Sequence, residues 1–414
     1  MLMTPALGFF YGGLVRRKNL VATIVQCFAI FCVVSLVWAL WGYSMTFGPT
    51  WFSISSQSRT YGLLGNLSHV GLLNVGSTPN AAYSSTIPEL LYFAFQLKFA
   101  AITPALIIGA FAGRVRLKPL LIFIVLWTTF IYAPIAMWIW NPGGWLHTLG
   151  VVDFAGGLVV HTSAGVSAVA AAIVIGRRPE AETRENRPNN VPYVILGAAL
   201  LWFGWFGFNA GSALAADSIA VNALVTTNLA AGAAGVSWML VDWVRKGRPS
   251  AVGMAVGAVC GLAAVTPAAG FVGPSESIVI GLVAGIFCNY IANWRARTTL
   301  DDSLDVFACH GAGGMWGTVA TGLFASTAIN SMGPNGLAFG NPHQELVQLV
   351  GVAVVATFAF VGSYVLLRAI NVFSPLRVKP EDENTGLDIS EFGEEAYAPT
   401  PEGQAVPSAD APTA

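Results

Sequence analysis

The chain consists of long apolar runs separated by short polar connections. A helix needs about 20 mostly apolar residues to cross the hydrocarbon core of a bilayer. Ten runs meet this length, at 20–47, 88–112, 119–140, 154–175, 191–214, 219–243, 251–272, 276–294, 306–326 and 344–370. A shorter run, 1–14, ends in GFFYGG, which is typical of the end of a helix. The pattern predicts an all-α polytopic membrane protein with eleven transmembrane helices, of which the first is incomplete.

Composition supports a lipid environment. Of the 414 residues, 55% are hydrophobic and 10% are charged, whereas soluble domains contain about 25% charged residues. The net charge of −1 gives no reason to expect nucleic acid as a partner. The five cysteines lie in apolar runs, so we expect neither a disulfide framework nor a zinc cluster. We expect no cofactor.

Lysine and arginine fix the expected orientation, because they concentrate on the cytoplasmic side of membrane proteins. If the N-terminus lies outside, the inner connections and the tail hold every lysine and arginine except Arg59 and Lys98. The sequence therefore predicts a multi-pass protein of the cell membrane with its N-terminus outside and its C-terminus in the cytoplasm. Lys98 is next to Phe99, so we expect it about 100° away on the helix, at a helix or subunit interface.

Two domains are expected. Residues 1–375 form the transmembrane domain, which includes a Ser/Gly/Asn-rich external loop at 48–87. Residues 376–414 form a cytoplasmic tail. The tail is acidic over 381–395, and its Pro/Ala-rich end, 398–414, has a composition typical of disorder.

The two halves of the membrane domain carry a similar short motif. His161 stands in HTSAG in the fifth span, and His310 stands in HGAGG in the tenth. Five spans separate the motifs, so the two helices run in opposite directions. This arrangement predicts an inverted repeat of five plus five spans, in which a substrate site is expected between the repeats.

Ionisable residues within a membrane are rare and usually functional. A neutral imidazole offers one hydrogen-bond donor and one acceptor. Two facing histidines therefore give an apolar pore a line of hydrogen-bonding groups, which we call the polar rail. The alternative is two unrelated core histidines, each bonded to a backbone carbonyl. A further alternative, a metal enzyme, lacks a third ligand near His161 and His310, although catalytic zinc typically has three.

Aromatic residues cluster near the predicted outer ends of three spans: Phe95, Phe99, Trp140, Trp205 and Phe208, with the hydroxyl of Ser212 beside them. Aromatic faces attract a cation by roughly 0.5–2 kcal/mol each. For Trp140 the alternative is an ordinary anchor at the membrane interface. Asp153 precedes the fifth span and is expected to cap its helix or to attract a cation. Asp305 is expected to cap the tenth span in the same way.

Several segments closely resemble the Amt/Mep/Rh ammonium transporters, and specifically the Amt branch. They are FYGGLVRRKN (10–19), FQLKFAAITPALIIG (95–109), DFAGGLVVHTSAG (153–165), GWFGFNAGS (204–212), VTPAAGFVG (265–273), DVFACHGAGGMWGT (305–318) and GLDISEFGEEAY (386–397). The first span of the family is complete, so the resemblance implies a helix that begins before Met1. We expect a start codon assigned too late, and the alternative is a truncated chain.

The resemblance implies a role for each matching residue. The outer recruitment site for ammonium is formed by Phe99, Trp140 and Ser212, with Asp153 as the nearby acidic residue. The gate is formed by Phe99 and Phe208. The pore is lined or supported by His161, His310, Trp205, Phe95 and Thr266. Phe10 and Tyr11 lie near the inner part of the pore.

The expected function is ammonium transport rather than catalysis. Ammonium is bound outside, loses a proton and passes the histidines as ammonia. The alternatives are an ammonium sensor that acts through a docked cytoplasmic partner, and an Rh-type channel. The resemblance also implies a homotrimer in the lipid bilayer. It implies docking of a PII-type (GlnK-like) signal protein on the tail, for which the alternative is a solvated acidic tail.

Overall fold

The computed structural model describes residues 1–56, 59–178 and 187–397. Its frame is a set of long helices, labelled α1 to α11 in chain order. They are α1 Met3–Leu14, α2 Arg17–Phe47, α3 Glu89–Phe111, α4 Leu117–Trp140, α5 Gly157–Ile175, α6 Val191–Ala213, α7 Ser218–Lys246, α8 Ala251–Val265, α9 Pro274–Arg295, α10 (Phe307–Ala312 followed by Gly313–Phe324) and α11 Pro342–Phe373.

Within the described residues, eight of these helices are long and apolar enough to cross a membrane, namely α2 to α7, α9 and α11. The helices α1, α8 and α10 are shorter, with α8 covering 15 residues. The helix positions agree with the apolar runs of the sequence. The total of eleven spans and their directions stay predictions.

Buried polar side chains join the helices, since no water is present in a bilayer core to satisfy them. The indole Nε1 of Trp127 in α4 donates to the hydroxyl of Ser167 in α5 at 3.1 Å and to that of Ser363 in α11 at 2.9 Å. Ser363 in turn donates to Ser167 at 2.7 Å. One three-membered network therefore fixes α4, α5 and α11 against one another.

The segment between α2 and α3, predicted from the sequence as an external loop, contains two pairs of antiparallel strands. Strands β1 (Thr50–Ser56) and β2 (Arg59–Gly65) pair antiparallel, as do β3 (Pro79–Asn80) and β4 (Ser84–Pro88). The Trp138 indole holds β2 by donating to the Leu63 carbonyl at 2.9 Å. The strands are short and rich in serine and glycine, so their alternation is too weak to separate them from loop.

The tail folds back onto the N-terminal end of α2. It forms two short helices, Pro380–Thr385 and Leu387–Phe392. The carboxylate of Asp388 accepts from the backbone N–H groups of Val21 at 3.1 Å and Ala22 at 2.8 Å, so it caps α2. Leu387 and Asp388 are buried. The segment is therefore anchored at Asp388, while Glu381, Glu391, Glu394 and Glu395 are exposed, so partner docking and a solvated acidic tail both stay open; 398–414 lies outside the described residues.

Candidate functional site

An aromatic depression opens between the ends of α3, α4 and α6. It has a volume of about 240 Å³, and its walls include Phe95, Phe99, Trp140 and Ser212. The rings of Phe99 and Trp140 meet edge-on, with centroids 5.4 Å apart. The Ser212 hydroxyl donates its proton to the Phe208 carbonyl at 2.9 Å, which leaves the hydroxyl oxygen as an acceptor. Aromatic faces and a hydroxyl acceptor suit a small cation that carries N–H donors.

Two phenyl rings close the floor of this aromatic depression. The centroids of Phe99 and Phe208 are 4.5 Å apart, and the ring planes are tilted by 53°. Both side chains are buried. Phe95 contacts Phe99 from the side, at 4.9 Å between centroids. We call this ring pair of Phe99 and Phe208 the aromatic gate.

A pair of histidines lies below the aromatic gate. The rings of His161 and His310 are stacked, with centroids 5.3 Å apart and planes inclined by 18°. They are 1% and 2% exposed. They share a narrow cavity of about 10 Å³ with an apolar wall formed by Met3, Leu7, Ile102, Leu106, Leu201, Trp205, Phe208 and Val259.

The two histidines are not ordinary core residues. Among the described residues, neither ring nitrogen of His161 has a hydrogen-bond partner, and Nδ1 of His310 also has none. The alternative in which each ring is bonded to a backbone carbonyl is therefore wrong for His161. Buried polar atoms are usually bonded, so unsatisfied ring nitrogens on two residues that line a cavity are suited to bind a passing solute.

Each histidine stands on a π-helical turn, at Gly157–Thr162 in α5 and at Phe307–Ala312 in α10. Such turns are rare in proteins, and those that occur often lie at functional sites. A buried aspartate precedes each turn. The Asp153 carboxylate accepts from four backbone N–H groups, those of Gly156, Gly157, Leu158 and Val159, at 2.7–3.1 Å. These bonds fix the start of the helix that carries His161.

The tenth span has a corresponding cap, but it is not the predicted one. Asp302 accepts from the N–H groups of Val306 at 3.1 Å and Phe307 at 2.8 Å. Asp305 has a positive φ of 56° and pairs with Arg295 at 2.8 Å. The prediction that Asp305 caps this helix was therefore wrong, because the loop enters the helix from Asp302 and turns Asp305 outward.

Asp153 lies behind the aromatic depression rather than on its wall. Its carboxylate is committed to the helix start, and its backbone carbonyl accepts from Trp140 Nε1 at 2.9 Å. The residue is buried. Asp153 thus positions two parts of the site at once, the helix of His161 and the indole of Trp140.

We expect Asp153→Asn to lower the stability of the purified protein by at least about 2 kcal/mol, because bonds to a charged acceptor contribute about 1.5–3 kcal/mol each. An asparagine has one acceptor oxygen, and its amide group faces N–H donors that it cannot satisfy. Thermal unfolding in detergent measures the effect. Asp217→Asn is the matched control, since Asp217 caps α7 through one exposed bond. Equal melting temperatures for the two variants would contradict the role of Asp153.

Trp205 supports the histidine pair from one side. Its ring stacks on His161, with centroids 5.3 Å apart and planes inclined by 20°. Its Nε1 donates to the Thr266 hydroxyl at 2.9 Å, and Thr266 donates to the Leu262 carbonyl at 2.7 Å. Thr266 therefore orients Trp205 and does not line the cavity itself.

Three other predicted residues lie outside the histidine cavity. Lys98 has its ammonium 5.3 Å from the centroid of Phe31, on the side of α3 that faces α2. Tyr11 donates to the Leu106 carbonyl at 3.0 Å, and Phe10 packs close to Gly197. The apolar wall residues, such as Leu7 and Ile102, were missed, because a leucine or isoleucine in a pore has no sequence signature that separates it from core.

Within the part of the chain that the structure describes, no group of three histidine, cysteine, aspartate or glutamate side chains is placed to hold a metal ion. The alternative of a metal enzyme therefore finds no ligand set there.

The apolar helices and the buried histidine pair below an aromatic depression define a polytopic helical membrane protein with a candidate pore for a small solute. The sequence profile of the Ammonium Transporter Family matches residues 1–397. The ammonium transporter of Bacillus subtilis is 44% identical over 397 residues, which cover 96% of this chain and 95% of that one.

Two solved structures are also similar. Saccharomyces cerevisiae Mep2 has 36% identity and a TM-score of 0.85, with 92% of this chain and 86% of that chain covered. A structure described as a sensor Amt protein has 29% identity and a TM-score of 0.84, with 94% and 95% covered. The chain belongs to the ammonium transporter family, and its function is ammonium transport. The predictions of the family and of a helical membrane protein are confirmed.

Proposed function

We propose that the chain binds ammonium in the outer depression, removes a proton at or below the aromatic gate and conducts ammonia past the histidine pair. The observation that carries this proposal is the stacked, buried pair of His161 and His310 directly behind Phe208. A polar rail in an otherwise apolar cavity suits a small neutral molecule that both donates and accepts hydrogen bonds.

The size of the charge penalty favours deprotonation. Moving an ammonium-sized ion into a medium of low dielectric costs on the order of 20 kcal/mol in the ideal case, and several kcal/mol after relaxation. Two or three aromatic faces supply roughly 0.5–2 kcal/mol each. That is enough to concentrate the ion in the depression and too little to carry it through a cavity walled by Leu7, Ile102 and Leu106. Ammonia, the neutral form, crosses this cavity at a lower cost in free energy than ammonium.

The same argument explains selectivity. Potassium has the charge and nearly the size of ammonium, but it has no proton to release and no N–H group to donate to Ser212. It therefore pays the full desolvation cost at the aromatic gate. The pore rejects it although the outer depression accepts cations.

Solid-supported-membrane electrophysiology on proteoliposomes tests the proposal, with internal pH recorded in parallel. We expect a saturable response to ammonium and none to potassium, with protein-free liposomes as the control. A current supports transport with net charge, and a pH change without current supports electroneutral passage of ammonia. Absence of both responses in protein that retains its fold would contradict the proposal.

The alternative function is an ammonium sensor, and one observation favours it. The tail is docked on α2 through Asp388, so a partner protein that binds the tail can respond to a change in the position of α2. A sensor Amt protein is also among the similar structures. The recording above separates the two functions, because a sensor that moves little substrate gives neither current nor pH change.

The assembly and orientation extend this proposal. We infer an inverted five-plus-five repeat with the N-terminus outside. Its support is the paired π turns, the paired caps Asp153 and Asp302, and the basic inner connections. We infer a homotrimer in the cell membrane from the family. Light scattering in detergent measures the mass of the assembly, and a mass of one chain would contradict the trimer.

The tail is the proposed contact for a PII-type (GlnK-like) signal protein at the cytoplasmic face. The Pro380–Thr385 and Leu387–Phe392 helices lie beside basic residues of the inner connections, such as Lys18, which donates to the carbonyls of Glu383 and Asn384 at 2.7 Å. An ordered, mixed-charge surface suits a protein partner. Co-purification with a PII-type protein tests this, and absence of binding at micromolar concentrations would contradict it.

A further inference from the structure

A basic pocket lies at the inner ends of α5 and α9, apart from the histidine pair. It has a volume of about 150 Å³, and its walls are formed by Arg177, Arg178, Arg295, Ala296, Thr298, Leu300 and Asp301. One water occupies about 30 Å³ of liquid volume, so the pocket has room for a polyatomic anion. It is lined mainly by polar surface and shares no wall residue with the histidine cavity.

The carboxylate in this pocket is already neutralised. Arg178 holds Asp301 with two bonds, Nε to Oδ2 at 2.9 Å and Nη2 to Oδ1 at 2.7 Å, and its backbone N–H adds a third at 2.9 Å. The buried Arg114 adds Nη1 to Oδ2 at 3.0 Å. Burial alone would raise the pKa of Asp301, but the bonds from Arg178 and the charge of Arg114 outweigh it and lower the pKa to about 2. Asp301 therefore stays ionised and fully paired.

The remaining arginines have capacity for an anion. Arg295 uses Nε and Nη2 on one oxygen of Asp305, both at 2.8 Å, and no bond from its Nη1 is formed within the described residues. The Arg177 side chain is exposed and forms no ion pair there. Among the described residues, the pocket wall carries three guanidinium groups, those of Arg177, Arg178 and Arg295, and one carboxylate, that of Asp301. Positive charge therefore exceeds negative charge among these wall residues.

We propose that this pocket binds a phosphate group, supplied either by an anionic lipid headgroup or by free phosphate. Guanidinium groups match phosphate oxygens with paired hydrogen bonds, and the Thr298 hydroxyl lies on the same wall. Basic pockets between helix ends on the cytoplasmic side are suited to anionic headgroups. The proposal does not depend on the transport mechanism.

A bound phosphate would join the two helices that carry the histidine pair. Arg177 follows directly on α5, which contains His161. Arg295 ends α9 and pairs with Asp305, which leads into α10 and His310. An anion shared by Arg177 and Arg295 therefore ties the inner end of α5 to the inner end of α10, across the inner side of the pore.

Native mass spectrometry of the detergent-purified protein tests the site, with dioleoyl phosphatidylglycerol, dioleoyl phosphatidylcholine and inorganic phosphate as separate probes. Arg177→Gln is the informative variant, because the Arg177 side chain is exposed and forms no ion pair with the described residues. Arg248→Gln is the matched control, since Arg248 is exposed near the inner end of α7 and outside the pocket. We expect about fivefold weaker binding for Arg177→Gln, the effect of one positive charge near an anionic headgroup, and no change for Arg248→Gln.

The probes separate the two sources of phosphate. Binding of phosphatidylglycerol that is weakened in Arg177→Gln, and not displaced by inorganic phosphate, assigns the site to a lipid headgroup. Binding of inorganic phosphate with the same dependence assigns it to a free anion. Equal binding by the wild type and Arg177→Gln for both anionic probes, with unchanged melting temperatures, would overturn the proposal. Stronger binding of phosphatidylcholine than of phosphatidylglycerol would do the same.

Discussion

A protein that carries both His161→Ala and His310→Ala is expected to lose its discrimination between ammonium and potassium. Removing two stacked rings opens the narrow cavity of about 10 Å³ and takes away its polar rail. Water can then enter, and an ion that keeps part of its hydration no longer has to shed a proton. We expect the ratio of ammonium to potassium current to fall by about tenfold or more, which corresponds to at least about 1.4 kcal/mol of lost discrimination.

The measurement is the same proteoliposome recording, with equal protein density in each preparation. His343→Ala is the matched control, because His343 is exposed at the start of α11 and lies outside the cavity. It is expected to keep the wild-type ratio. Loss of all current in the double variant would also agree with the proposal, because it would show that transport requires the histidine pair. Wild-type selectivity at wild-type rates in the double variant would rule out the proposed mechanism.

Much of this architecture follows from the sequence because lipid imposes a simple rule. Apolar runs of membrane-spanning length become helices, since a backbone in hydrocarbon must satisfy its own hydrogen bonds. A histidine inside such a run is conspicuous, and the five-span interval between His161 and His310 already suggested that they meet. The aromatic residues near Phe99 were visible for the same reason, because ring density exceeds what an interface anchor requires.

Other features depend on backbone paths that no pattern of residue types encodes. By sequence alone, Asp302 and Asp305 are equally suited to cap the helix. Only the path of the loop determines that Asp302 accepts the backbone hydrogen bonds. Asp153 looks like an electrostatic residue of the recruitment site, yet its carboxylate is used by the helix start. The wall of the histidine cavity is built from ordinary apolar side chains, which become pore residues only through their placement.

Two glycines, Gly165 and Gly314, bring the helices of the histidine pair into close contact. Each glycine stands four residues after a histidine and packs against the opposite helix. A Cβ on Gly165 would clash with the backbone N and Cα of Gly311. A Cβ on Gly314 would lie 2.8 Å from the Cβ of His161 and 2.9 Å from the N of Thr162. The absence of two methyl groups thus sets how closely α5 and α10 approach, and so sets the separation of the rings.

Gly165→Ala is therefore expected to move the two histidine rings apart and to reduce the ammonium current by about tenfold or more. Overpacking of a tight interface costs about 1–3 kcal/mol, and about 1.4 kcal/mol in the barrier changes a rate tenfold. Because the methyl group meets backbone on the opposite helix, no side-chain rotation can relieve it. Gly314→Ala is expected to act in the same direction through His161.

Gly207→Ala supplies the control, since Gly207 lies in the pore helix α6 and a Cβ there would have no neighbour within 4 Å. Alanine favours a helix over glycine by up to about 1 kcal/mol, so this variant is expected to match or exceed the wild-type melting temperature at unchanged current. A fall in both current and ammonium selectivity in Gly165→Ala, at a melting temperature that still reports folded protein, identifies a change in ring position. Wild-type current in both Gly165→Ala and Gly314→Ala would show that the spacing of the histidines is set elsewhere, because each methyl group would then have been accommodated without consequence for the pore.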